Sequence, residues 1–207
     1  VWPCPLSVDE YLAAGRELEV PRPECPSCSS TMTFWSGYLR AVREAGRCYA
    51  MWVPRARCGG CKTTHALLPA FVVHGRLDVV ETIGAVLEEV SEGPGGARPA
   101  AERAGVPHTT ARGWLRRFES RAESLAVALA ALAVELGGHV EVAGGDVARR
   151  ALLAMRHAFV SAASLPGWQV LGHWRFVNAV VGTRLLATNS HSPYLVVGKR
   201  RFMPPIP

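Results

Sequence analysis

Two Cys-x-x-C pairs are the residues of this sequence best suited to chemistry: Cys25-Pro26-Ser27-Cys28 and Cys58-Gly59-Gly60-Cys61. A Cys-x-x-C turn aims two sulfurs at one point, and its backbone amides can hydrogen-bond the thiolates. Two such knuckles form a closed tetrahedral S4 site, the usual structural zinc arrangement. The intervening segment Thr31–Val53 reads as a hairpin that brings the knuckles together, as in zinc ribbons. Pro26 stiffens the first turn, and Gly59 and Gly60 are expected to permit the second. The expected cofactor is therefore a structural Zn2+ on Cys25, Cys28, Cys58 and Cys61. An S4 set also accepts iron, and zinc is the preferred ion. A closed site has no open position for water or substrate, so no catalysis is expected there. Its binding energy becomes folding energy for a ribbon too small to build a core. A redox dithiol would sit at a helix start in a βαβ context, and no such context is visible. Cys4 and Cys48 fall outside the pairs, and Cys48, at a strand start, reads as core. His65 reads as an ordinary polar contact, ahead of a substitute ligand or a donor to the ligands.

The second constellation runs from Arg98 to Arg117. A helix-turn-helix needs a small residue where its helices cross, and Ala101 fits. It needs a residue that tolerates positive φ at the turn, and Gly105 fits four residues later. Ala100, Ala104, Val106, Ala111 and Trp114 supply the apolar packing, and Thr109 or Thr110 can cap the second helix. This leaves His108, Thr109, Arg112, Gly113, Arg116 and Arg117 facing outward, with Thr110 beside them at the helix start. The early positions would reach base edges of double-stranded DNA, Arg112 reading guanine and Thr109 a base or phosphate. Arg116 and Arg117 would hold phosphates. From Ala97 to Arg121 six arginines face two glutamates, so the basic excess concentrates at the motif. The bland alternative is a pair of Ala-rich helices inside a bundle with solvated arginines. It leaves the register of glycine, small residue and arginines unexplained.

Other chemistry is poorly served. A transposase or nuclease core needs three carboxylates around two metal ions. The aspartates are Asp9, Asp78 and Asp146, and nothing acidic follows Asp146. Ser161, Ser164 and His157 are close in sequence but lack an acid to orient the histidine. The chain therefore reads as a DNA-binding protein and not an enzyme, with a transcriptional regulator or a zinc-ribbon protein-interaction module without DNA binding as the alternatives.

The elements that must position these residues follow from periodicity and breakers. Residues 1–24 form a lead with a short helix at Val8 to Gly15. Residues 25–76 form a zinc-ribbon-like unit with strands at Met32–Leu39 and Tyr49–Val53. Residues 77–138 form the helix-turn-helix region. There Asp78 caps a helix with Glu81 reaching back, and Val79, Ile83, Val86, Leu87 and Val90 share a face. Helices at Pro99–Ala104, Thr109–Phe118 and Glu119–Leu136 follow. Leu125, Leu129, Leu132 and Leu136 pack a core first and a homodimer second. Residues 139–207 form a C-terminal helical segment, with a helix from near Asp146 toward Ala163. Its Arg149, Arg150, Arg156 and His157 read as a solvated face, and Lys199-Arg200-Arg201 as a solvated tail. The expected class is α+β, mainly α.

Composition sets the limits. Of 207 residues 49% are hydrophobic, enough to fold. The longest apolar run, Leu125 to Val134, is too short for a membrane span. No basic stretch leads into an apolar one at the N-terminus, so a cytoplasmic, nucleoid-associated location is expected. The net charge of +6 suits a polyanion. Only Lys62 and Lys199 are lysines among 23 basic residues, a bias best explained by a GC-rich genome.

The motif order resembles a group of uncharacterised actinobacterial proteins built on a domain of unknown function and often met beside insertion-sequence transposases. The residues that carry the resemblance are Cys25-Pro26-Ser27-Cys28, Phe34-Trp35-Ser36-Gly37-Tyr38, Val53-Pro54-Arg55-Ala56-Arg57-Cys58, Thr64-His65-Ala66-Leu67-Leu68-Pro69 and Thr110-Ala111-Arg112-Gly113-Trp114. It spans roughly residues 4–138. It implies zinc and DNA binding in a mobile-element context, with a transposase encoded nearby as a further partner. It implies no catalytic residue.

Overall fold

The computed structural model describes residues 1–140, 144–165 and 171–188. Among them the chain is α+β, with six helices and one three-stranded antiparallel sheet. Trp168 and the Lys199-Arg200-Arg201 tail lie outside the described residues.

Ser7 opens α1 (Val8–Ala14) with a reciprocal cap to Glu10, which satisfies two amides a helix start leaves open. Tyr11 on this helix is buried against Phe71 and donates its hydroxyl to the Trp52 carbonyl at 3.0 Å. Strands β1 (Met32–Glu44) and β2 (Arg47–Cys58) form a hairpin, and β3 (Thr64–Ala66) pairs with β2. Both strands run longer than expected, because a two-residue Ala45-Gly46 loop with φ of 47° and 77° lets pairing continue to the tip. Such left-handed turns match strand twist. The register slips between Phe34 and Ser36. Phe34, Trp35, Tyr38 and Leu39 stay exposed on β1.

Helix α2 (Val80–Glu92) begins without the expected Asp78 cap. Arg43 takes both Asp78 oxygens, at 2.7 and 2.9 Å, and Glu81 pairs with Arg175. A bidentate guanidinium outcompetes a backbone amide for a buried carboxylate. Helix α3 (Ala97–Arg103) leads to α4 (His108–Glu135), one helix of 28 residues where two were expected. No breaker lies at Phe118-Glu119, and Phe118, Ala122, Leu125, Leu129 and Leu132 continue one buried face across it. Neither Thr109 nor Thr110 caps α4; Pro107 is at the N-cap, and among the described residues no side-chain cap bond is made there.

Asp146 caps α5 (Val147–Ala163), accepting from the Arg149 amide at 2.9 Å. Its basic side is only partly solvated: Arg156 pairs with Glu88 and Glu92, and Arg150 with Glu123. The chain then adds α6 (His173–Val180). Buried Asn178 on α6 donates to the Ala70 and Val72 carbonyls, fastening the helix to the segment before α2.

Three apolar clusters result among the described residues. The largest joins the helices α2 to α6, the second packs α1 and the sheet around Phe71, and the third surrounds Cys25 and Cys58. No helix among the described residues is long and apolar enough to cross a membrane.

Candidate functional site

The hairpin register places Met32 opposite Cys58, so the open end of the hairpin holds the second knuckle beside the first. The sulfur of Cys25 lies 3.6 Å from that of Cys61, and Cys28 lies 3.3 Å from Cys58. All four sulfurs fall within 4.8 Å of one another. Zinc–sulfur bonds of roughly 2.3 Å give a tetrahedron with edges of roughly 3.8 Å, so the four thiols bracket the size a metal ion requires. The donor chemistry fits zinc and iron alike.

Each knuckle is closed by its own backbone. The Ser29 amide donates to the Cys25 carbonyl at 2.8 Å, and the Cys25 and Cys58 amides donate to the Ser30 and Thr63 carbonyls. The chain reverses at Ser29 (φ 59°) and Lys62 (φ 61°), each just after the second cysteine. Glycine was expected to carry the second turn, and the left-handed residue there is Lys62, whose Nζ bonds the Gly59 carbonyl at 2.6 Å. Gly60 matters for space instead: a Cβ there would sit 2.8 Å from Ser30 Oγ and 3.4 Å from Cys28 Sγ.

The sulfurs differ electrostatically. The Ser30 hydroxyl and amide bring the Cys28 thiol down to about 5. The Thr63 hydroxyl and amide lower Cys61 likewise. Burial pushes Cys58 up to about 11. Cys25 and Cys58 face the protein, and Cys28 and Cys61 face solvent. His65 Nε2 lies 3.9 Å from Cys25 Sγ, a contact at the edge of the cluster. Cys48 is exposed, contrary to the core position expected of it, because it lies opposite Arg43 near the hairpin tip. Cys4 is buried, and burial raises its thiol to about 11.

At the other end of the hairpin, the tip meets the α3–α4 connection. Gly105 has φ 65°, and a Cβ on it would meet Gly46 backbone at 3.6 Å. The Val106 amide reaches back to the Ala101 carbonyl at 3.0 Å. Ala100, Ala101, Val106, Ala111 and Trp114 are buried, and Ala104 is half-buried. His108, Thr109, Arg112 and Arg116 are exposed, and Thr110, Gly113 and Arg117 are half-buried.

The arginines of this stretch separate into three groups. Arg98 pairs with Glu102, and Arg103 with Glu89. Arg121 turns inward and donates to the Ala187 carbonyl. Arg112, Arg116 and Arg117 take part in no ion pair among the described residues, and Arg117 only reaches the Gly113 carbonyl of its own helix. Two open clefts flank them. One, of about 520 Å3, is lined by Thr109, Arg112 and Arg116. The other, of about 570 Å3, lies between Arg116, Arg117 and the Gly75-Arg76-Leu77 segment. Arg76 and Arg43 escaped the sequence reading, since their positions depend on contacts more than thirty residues apart.

The profile of a family described as a domain of unknown function (DUF6431) matches residues 25–112. The matched stretch begins at the first knuckle and ends at Arg112, on the second turn of α4. No curated protein and no solved structure matches the chain.

Proposed function

We propose that this chain is a zinc-stabilised helix-turn-helix protein that binds double-stranded DNA, as an accessory to a transposable element. The observation that carries this is the sorting of its arginines: among the described residues those on the outer side of early α4 have no carboxylate partner, whereas the neighbouring Arg98 and Arg103 do. A solvent-facing row of guanidiniums beside hydroxyls suits a polyanionic duplex. Ala101 at the crossing and left-handed Gly105 at the turn suit the angle such a motif needs. Zn2+ at the four cysteines anchors the hairpin that supports the turn. The mobile-element context rests on the resemblance of the motif order. A role in binding and not catalysis is favoured by the fate of the aspartates. Asp78 is held by Arg43, Asp146 caps α5, and Asp9 lies on α1.

Fluorescence anisotropy with random-sequence duplex across a salt series tests the proposal, with metal content measured on the same sample. Expected are about one metal ion per chain and an affinity that falls steeply with salt. Arg112→Glu with Arg116→Glu should abolish binding while leaving the melting temperature within a few degrees. Duplex binding that survives the double charge reversal refutes the assignment.

The exposed Phe34, Trp35, Tyr38 and Leu39 on edge strand β1 favour a second reading, a protein-docking module whose helix pair is purely structural. Under it the charge reversals change nothing, and Trp35→Ser abolishes the chain's association with its partner.

A further inference from the structure

The cleft between α4 and the segment preceding α2 has features that the helix pair alone does not require. Its far wall is the Gly75-Arg76-Leu77 turn. Arg40 on β1 holds this turn, donating from Nη2 to the Val73 carbonyl at 2.9 Å and to the Arg76 carbonyl at 2.6 Å. Arg43 holds it from the other side through Asp78, while the Arg43 amide donates to the Leu77 carbonyl. The Arg76 side chain is thus set on a braced backbone. Among the described residues its Nη1 bonds only its neighbour's carbonyl, and its buried Nε has no hydrogen-bond partner. The cleft is also lined by Arg116, Arg117 and Thr110 of α4. Arg117 is near enough that its charge, after burial, depresses the Arg76 guanidinium.

Two like charges face each other here, and the cleft's carboxylate, Asp78, has both oxygens occupied by Arg43. Confronted guanidiniums without a counter-charge are unfavourable unless an anion lies between them. A tetrahedral oxyanion can accept from two guanidiniums and a hydroxyl at once.

We propose that this cleft binds a backbone phosphodiester of duplex DNA, clamped between Arg76 on the turn before α2 and Arg117 on α4, with Thr110 as a further donor. This deepens the proposed function and rests on it. It makes the turn preceding α2 part of the DNA interface, beyond the helix pair.

The test compares wild type with Arg76→Ala, Arg76→Gln and Arg76→Lys in duplex anisotropy over a salt series, with melting temperatures recorded. Expected is a weakening that is equal across unrelated duplex sequences, with the log–log salt slope reduced by about one for Ala and Gln. Lys, which keeps the charge, retains the slope. The Arg76→Ala, Arg117→Ala pair should lose less than the sum of the single losses, since both clamp one phosphate. Wild-type affinity and slope in Arg76→Gln overturn the clamp and leave the DNA-binding proposal standing. A loss confined to one duplex sequence also overturns it, since Arg76 would then read a base. Titration of inorganic phosphate into protein with 15N-labelled arginine separates the sources of the anion. Saturable micromolar shifts at Arg76 would assign the cleft to free phosphate instead. Absence of duplex binding by the wild-type chain overturns both proposals together.

Discussion

Cys28 and Cys58 sit 3.3 Å apart, yet their surroundings pull them in opposite directions. Hydrogen bonds from Ser30 bring Cys28 down to about 5, whereas burial pushes Cys58 up to about 11. Without metal, the lowered group stabilises the fold above the ordinary thiol pKa of roughly 8.5. That contribution is lost as pH falls through about 5. The raised group behaves conversely: it stabilises below the ordinary value, and its contribution is lost as pH rises through about 11. Metal demands four thiolates and so competes with protons. The expected outcome is retention of metal at neutral pH and release on acidification, followed with a chromogenic chelator. Ser30→Ala with Thr63→Ala, which removes both hydroxyl donors, should shift release to higher pH. An unshifted release curve would mean that the hydroxyls do not tune the sulfurs. The pairing of these cysteines was legible from spacing alone. Their differences in exposure and acidity were not, because these depend on which side of each knuckle the hairpin covers.

Helix α6 shows what an element needs beyond its own pattern. Trp174 lies flat against Gly84 of α2, so a Cβ at Gly84 would fall 2.1 Å from the ring. Nothing local to α2 announces that a glycine mid-helix is there for an indole ninety residues away. Gly84→Ala should raise intrinsic helix propensity and still destabilise the protein by about 1–3 kcal/mol, the usual cost of overpacking. Urea denaturation checks the sign: a midpoint at or above wild type would show that α6 yields freely. Helix α4 carries the opposite lesson. Capping and breaker rules divided it at Phe118, but its buried face runs on without interruption, and packing against α5 holds it as one rod of roughly 40 Å.

Across the whole molecule, the β1–β2 hairpin links the two regions of interest. The cysteine cluster closes one end, and Gly46 at the tip rests on Gly105 between α3 and α4. With 13 residues in β1 these ends are separated by roughly 40 Å of strand. Along the way Arg40 and Arg43 fix the turn that bears Arg76. Metal removal should therefore loosen the hairpin and reduce duplex affinity at least several-fold, with the helical circular dichroism largely kept, since the main helical core does not include the cysteines. Restoring Zn2+ should restore affinity. Equal affinity and salt slope in chelated protein would show that the hairpin does not support the helix pair.

Sequence alone determined the features that arise from neighbours along the chain. These are the two knuckles, the strand pair between them, the left-handed turn at Gly105 and the amphipathic helices, because each depends on local conformation or on a short periodicity. Only the tertiary structure decided which charges are free. Asp78 reads as a helix cap until Arg43 reaches it, and Arg121, counted in the motif's basic excess, turns inward to the Ala187 carbonyl. It also decided that Cys48 is exposed and that Arg76 faces Arg117. A charge's role depends on its nearest opposite charge and its share of water, and both are set by segments that meet only after folding.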